Sequence, residues 1–83
     1  MWTRKDYRNW REENGLTQIQ AAKELELKSG GVYFSMLETG NGGIKPRKAT
    51  MLACIAYSLL TADNDAERLV LIQRYRYEME IDK

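Results

Sequence analysis

Histidine is absent from this 83-residue chain, and cysteine occurs once, at position 54. Together these absences exclude a disulfide framework, a zinc ligand set and every histidine-based catalytic arrangement. No apolar run approaches the length of a membrane span, and the opening MWTRKDYR lacks the apolar stretch of a signal peptide. The expected location is therefore the cytoplasm, with no membrane partner. Glycine- or serine-rich linkers, internal repeats and low-complexity stretches are missing too. The length predicts one small domain over residues 1–83, and no small-molecule effector is expected, because a separate sensor domain has no chain to form it. No nucleophile is coupled to a base and no carboxylate pair stands out, so the chain is expected to be no enzyme, with no catalytic residue, metal or cofactor. Cys54 lies in the apolar run MLACIAYSLL and is expected to be a core thiol.

Charge of one sign is also lacking: 13 Lys or Arg stand against 12 Asp or Glu, a formal net charge of +1. A strongly basic chain would by itself point to nucleic acid. The distribution carries more information than the sum. Residues 1–48 hold nine Lys or Arg and six Asp or Glu (+3), and residues 49–83 hold four and six (−2).

What is present is a series of capped helical patterns. Residues 3–14 form the first, with Thr3 as N-cap, Tyr7 and Trp10 as its buried stripe, Trp2 a further candidate, and Asn14-Gly15 as the stop. Thr17 with Gln20 makes a capping box for a second helix over about 17–25, whose Ile19, Ala22 and Leu25, with Ala21, are expected to face the core. Leu27 anchors the turn that follows. Ser29, Gly30 and Gly31 precede VYFSMLET, a third helix with Phe34 and Leu37 turned inward, Val32 nearby and Gly40 as its end. Pro46 suits the first position of a fourth helix reaching about Leu60, with Ala49, Leu52, Ile55, Ala56 and Leu59 as the expected buried stripe. Trp2, Tyr7, Trp10 and Tyr57 fall at helical spacing and read as core packing rather than as a base-stacking platform.

Asn64 and Glu67 form another capping box, so a fifth segment starts near Asp65. Two forms remain open for its course to about Ile81. As a helix it places Arg74 and Glu78, and Arg76 and Glu80, four apart. As a strand, RYRYEMEI alternates, and an antiparallel pair centred on Tyr77 would set Arg74 opposite Glu80 and Arg76 opposite Glu78. Either form offers apolar residues on two faces. Segment 65–83 is thus the expected dimerisation element, with Val70, Arg74, Tyr75, Arg76, Tyr77, Glu78, Met79 and Ile81 at the interface.

From Leu16 to Gly40 the chain reads as two short helices hinged at a polar, glycine-bearing turn, the pattern of a helix-turn-helix. LTQxxAAKEL, then Leu37, Glu38 and Gly40, then Pro46 and a helix rich in small apolar residues, resemble the lambda-repressor-like (Cro/C1 or XRE) helix-turn-helix family over roughly residues 7–60. More loosely, the size and the stretch PRKATMLACIAYSL resemble small phage and mobile-element regulators, including anti-CRISPR-associated repressors. The resemblance implies an all-α, five-helix domain acting as a sequence-specific regulator, an autoregulating repressor that binds an inverted repeat in a double-stranded DNA operator as a homodimer.

The resemblance also implies residue roles. Thr17 and Gln18 match the start of the first motif helix, where a helix N-terminus and an amide side chain meet phosphate. Lys28, Ser29, Gly31, Val32, Tyr33, Ser35 and Met36, with Gly30 beside them, fall at the base-reading positions. Tyr33 and Ser35 suit hydrogen bonds, and Val32 and Met36 suit thymine methyl groups. Lys45, Arg47 and Lys48 follow the recognition helix, where phosphate contact is expected. Arg4, Lys5, Arg8 and Arg11 are weaker phosphate candidates, since Asp6, Glu12 and Glu13 are available to pair with them. Glu38 is expected to hold the helix end near an arginine or backbone groups. The chain departs from the family at Glu26, which stands where a turn glycine is usual, and in two extra residues after Leu27. A second reading keeps the fold but not the DNA: an antitoxin or adaptor that binds a protein partner through its C-terminal segment.

Overall fold

The computed structural model describes residues 2–27, 30–44 and 47–79. Five helices follow one another: α1 (Arg4–Glu13), α2 (Gln18–Glu24), α3 (Gly31–Thr39), α4 (Lys48–Leu60) and α5 (Asp65–Arg74), with a 3₁₀ turn at Asn41–Gly43. The fold is all-α, and no strand occurs among the described residues. None of these helices is long and apolar enough to cross a membrane.

Local chemistry sets most of the helix ends. Thr3 and Thr17 each accept a hydrogen bond from the backbone amide three residues on, and the Asp6 and Gln20 side chains accept one from the cap's own amide, which satisfies amide groups a helix start leaves open. Asn64 caps α5 by accepting from the Glu67 amide at 2.8 Å. The Glu67 carboxylate reaches one residue further back than in a standard box and accepts from the Asp63 amide at 3.2 Å.

Helices α1 and α2 end in the same geometry built from different residues. After α1 the Gly15 amide donates to Glu12 and the Leu16 amide to Arg11; after α2 the Glu26 amide donates to Lys23 and the Leu27 amide to Ala22. Both are paired backbone closures that require a left-handed residue, and Leu16 and Leu27 complete them by packing on the core. Gly15 adopts φ +66° without strain, whereas Glu26 adopts φ +54° carrying a Cβ. The position where the resembled family places glycine is therefore left-handed here, but without glycine. Glu26→Gly is expected to raise stability by about 0.5–1 kcal/mol, since relief of strain exceeds the added chain entropy. Thermal unfolding checks this as a rise of roughly 3–6 °C.

The core gathers Trp2, Tyr7, Trp10, Ala21, Phe34, Leu37, Met51, Cys54, Ile55 and Tyr75. Its centre is aromatic: Trp10 tilts on Phe34 at 5.9 Å between ring centroids, Tyr7 meets Phe34 edge-on at 6.5 Å, and Tyr57 meets Trp10 edge-on at 5.8 Å. The expected packing role of these rings is thus observed, as is that of Cys54. Burial pushes the Cys54 thiol up to about 12, so it stays a neutral core group.

Four expectations about elements need correction. Ile19 is 72% exposed rather than buried, because α2 turns Ala21 and Ala22 inward instead. Helix α4 starts at Lys48, and Pro46 lies outside the described residues. The buried stripe of α4 is Thr50, Met51, Cys54, Ile55 and Ser58; Ala49, Leu52 and Ala56 face outward and Leu59 is half-buried. The rotation is set by Trp10, whose indole Nε1 donates to Ser58 Oγ at 2.8 Å, so a polar residue takes the inward position. Finally, α5 ends at Arg74 and residues 75–79 form turns, neither a continued helix nor a strand, while Ile81 and Glu80 lie outside the described residues.

Candidate nucleic-acid interface

Glu38 ties the helices that carry the candidate surface. Its side chain is almost wholly enclosed, and Arg11 grips it at both oxygens, Nε to Oε2 at 2.7 Å and Nη2 to Oε1 at 2.9 Å. Arg8 Nε adds a third contact at 3.3 Å. Arg11 also donates from Nη1 to the Leu16 carbonyl at 3.0 Å, which fixes the approach to α2. Burial by itself would raise the Glu38 carboxyl, but the hydrogen bonds and charge of Arg11, joined by Arg8 and Gln18, outweigh it and hold the group below its usual range. One carboxylate on α3 therefore gathers arginines from α1 and the first residue of α2. The expected role of Glu38 at the helix end is observed in this form. It also accounts for two of the four α1 cations, since Arg8 and Arg11 turn to Glu38 rather than to the acids of their own helix.

With the frame set, the starts of α2 and α3 lie against each other. Gly31 opens α3, and a Cβ there would stand 2.9 Å from Ile19 Cγ1 and 3.3 Å from the Ile19 amide nitrogen. Only glycine permits this approach without a shift. The consequence is an open groove of about 540 Å³ lined by Gln18, Ile19, Gly31, Val32, Ser35, Met36 and Asn41. The expected positions Gln18, Gly31, Val32, Ser35 and Met36 are thus brought onto one surface, and Val32 is 61% exposed. None of the lining residues carries a charge.

Other expected contacts fall elsewhere. Tyr33 is half-buried against the core, with its hydroxyl 3.5 Å from Thr50 Oγ1, so it faces α4 instead of the groove. Thr17 is exposed, its hydroxyl accepting from the Gln20 amide at 3.1 Å. Arg47 and Lys48 are exposed at the start of α4. Lys28, Ser29 and Lys45 lie outside the described residues.

Two groove residues escaped the sequence argument. Ile19 carried the signal of a core residue, being apolar within an amphipathic helix, and only the proximity of Gly31 shows why it stays at the surface. Asn41 follows the Gly40 helix stop, where the left-handed Gly40 (φ +77°) turns the chain back beside Met36.

The interface expected in the C-terminal segment is divided by the fold. Tyr75 is buried and packs on Trp2 at 5.7 Å between centroids, so it belongs to the core and not to a dimer surface. Arg74 turns to Glu13, with Nη2 to Oε1 at 2.8 Å and Nη1 to Oε2 at 3.0 Å. Glu78 and Met79 are half-buried, while Val70, Arg76 and Tyr77 remain exposed.

No family model matches the chain, and no curated protein or solved structure is significantly similar to it.

Proposed function

We propose that the chain is a sequence-specific double-stranded DNA-binding regulator of the lambda-repressor-like helix-turn-helix type, an autoregulating repressor that binds an inverted repeat as a homodimer. The observation that carries this reading is the α2–α3 pair: two short helices locked through Glu38, with the start of α2 and the outward side of α3 left uncovered on one surface. In this reading α3 enters the major groove, where Val32 and Met36 meet thymine methyl groups and Ser35 exchanges a hydrogen bond with a base edge. Gln18 and the amide groups at the start of α2 contact phosphate, and Lys48 adds a cationic contact. A dimer would set its half-sites about one helical turn apart, roughly 34 Å, and would repress by covering a promoter.

A second reading is favoured by the groove's own character. Ile19, Val32 and Met36 make it apolar and uncharged, which suits an adaptor or antitoxin docking a protein partner.

A mobility shift against genomic and random DNA across a salt series separates the two. The regulator reading expects a shift that weakens as salt rises, and the absence of any shift at low salt sinks it. Within the regulator reading, Val32→Ala with Ser35→Ala is expected to narrow the gap between operator and random DNA by about tenfold. Lys48→Ala should instead weaken both DNAs alike and lower the salt slope by about 1. Titrations by fluorescence anisotropy distinguish these patterns, and an exchange of the two effects would refute the groove assignment.

A further inference from the structure

Residues 49–62, ATMLACIAYSLLTA, contain no charged side chain, although they run through α4 and past its end. One stripe of α4 fills the core. The opposite one, Ala49, Leu52, Ala53, Ala56 and Leu60, recurs at three, four, seven and eleven residues from its first member, and all five are exposed. Leu60 is 83% exposed and Leu52 37%. A helix on the surface of a monomer ordinarily turns charged residues outward. This one is apolar on both sides, and its outer side is made of small residues between two leucines, a shape that lets another helix approach closely.

The ends of this stripe carry opposite charge. Arg47 and Lys48 stand at the start of α4, and Asp63 and Asp65 stand just beyond its end. Asp63 is exposed, and Asp65, which pairs with Arg68 within its own helix, remains almost fully open. The 13 residues of α4 separate the basic from the acidic end by roughly 20 Å. A copy of the same helix laid antiparallel therefore meets it with leucines on alanines and with each basic end on an acidic one, twice over by symmetry. A parallel copy would oppose like charges.

We infer that the outward face of α4, Leu52, Ala53, Ala56 and Leu60, seats a second copy of this chain, antiparallel across a two-fold axis, with Arg47 of each copy against Asp63 and Asp65 of the other. This deepens the homodimer part of the proposed function and moves the interface from the C-terminal segment to α4. It does not depend on DNA binding.

Sedimentation equilibrium of the full chain without DNA tests it. The wild type is expected to be a dimer, and Ala53→Glu is expected to raise the dimer dissociation constant at least 100-fold while helical circular dichroism is retained. Val70→Glu and Tyr77→Ser, on the C-terminal side, are expected to leave it within threefold. Arg47→Glu should weaken the dimer, and adding Asp63→Lys and Asp65→Lys to that variant should restore it, a rescue that a folding defect would not produce. A monomeric wild type at high concentration, a dimer insensitive to Ala53→Glu, or loss on Val70→Glu alone overturns the inference. If the dimer behaves as expected but no DNA is shifted, the regulator reading fails and this interface stands. If operator DNA is bound by a dimer that Ala53→Glu leaves intact, the reverse holds.

Discussion

Glu38→Ala should lower the stability of the domain by about 3 kcal/mol and its melting temperature by roughly 12–24 °C. The carboxylate is buried and holds Arg11 by two hydrogen bonds, so its removal leaves a cation with little solvent and, of these bonds, only the one to the Leu16 carbonyl. Half-exposed Arg8 recovers water more easily, which places the expected cost at the low end for a broken buried pair. Because the three groups act together, Arg11→Ala combined with Glu38→Ala should cost less than the sum of the single changes, and a double-mutant cycle by urea unfolding measures the difference. The pH dependence has a definite sign. Glu38 ionises more readily in the folded chain than in the unfolded one, where the value is about 4.3. Its contribution is complete above that value and is lost as pH falls through it toward the lowered folded value. Glu38→Gln should therefore flatten the acid limb of the stability profile, and an unchanged limb would show that the ion pair contributes nothing.

Phe34→Ala should be more damaging, by about 3–5 kcal/mol, enough to leave an 83-residue domain largely unfolded near 37 °C. The ring is completely enclosed between Tyr7 and Trp10, at the point where α1 supports α3. Truncation removes its buried area and opens a cavity among large rings that cannot collapse to fill it. Phe34→Leu, nearer in volume, should cost much less. Val32→Ala, two residues away on the exposed side, should change stability by no more than about 0.5 kcal/mol. Urea midpoints at constant slope check all three, and equal effects at positions 32 and 34 would invert the assigned faces of α3.

That contrast marks how far the candidate site was legible in the sequence. Phe34 and Leu37 were assignable from their three-residue spacing and from the Leu37-Glu38-Gly40 close of the resembled family, whose register implied Val32, Ser35 and Met36 on the outward side. Tyr33 was not assignable. A tyrosine beside a buried phenylalanine satisfies either face, and the Thr50 hydroxyl on α4 draws it inward. Tyr75 behaves alike: the alternation of RYRYEMEI suggested an outward residue, but Trp2 offers a ring to pack on. The partners of Arg8 and Arg11 were equally hidden, because charges on neighbouring turns compete with Glu38 more than twenty-five residues away.

By itself the sequence determined the starts of α1, α2 and α5 and the ends of α1 and α3. Thr3, Thr17, Asn64, Gly15 and Gly40 act through hydrogen bonds and backbone angles within a few residues, so their effect is decided before any helix meets another. Only the tertiary structure decided which side of each helix turned inward where both sides were acceptable. Helix α4 is the clearest instance, since Ala49, Leu52 and Ala56 are as apolar as Met51, Cys54 and Ile55. The choice fell to the indole of Trp10, a buried donor that requires an acceptor and finds it in Ser58. Turning Ser58 inward leaves a second apolar face exposed, the face on which the proposed dimer rests.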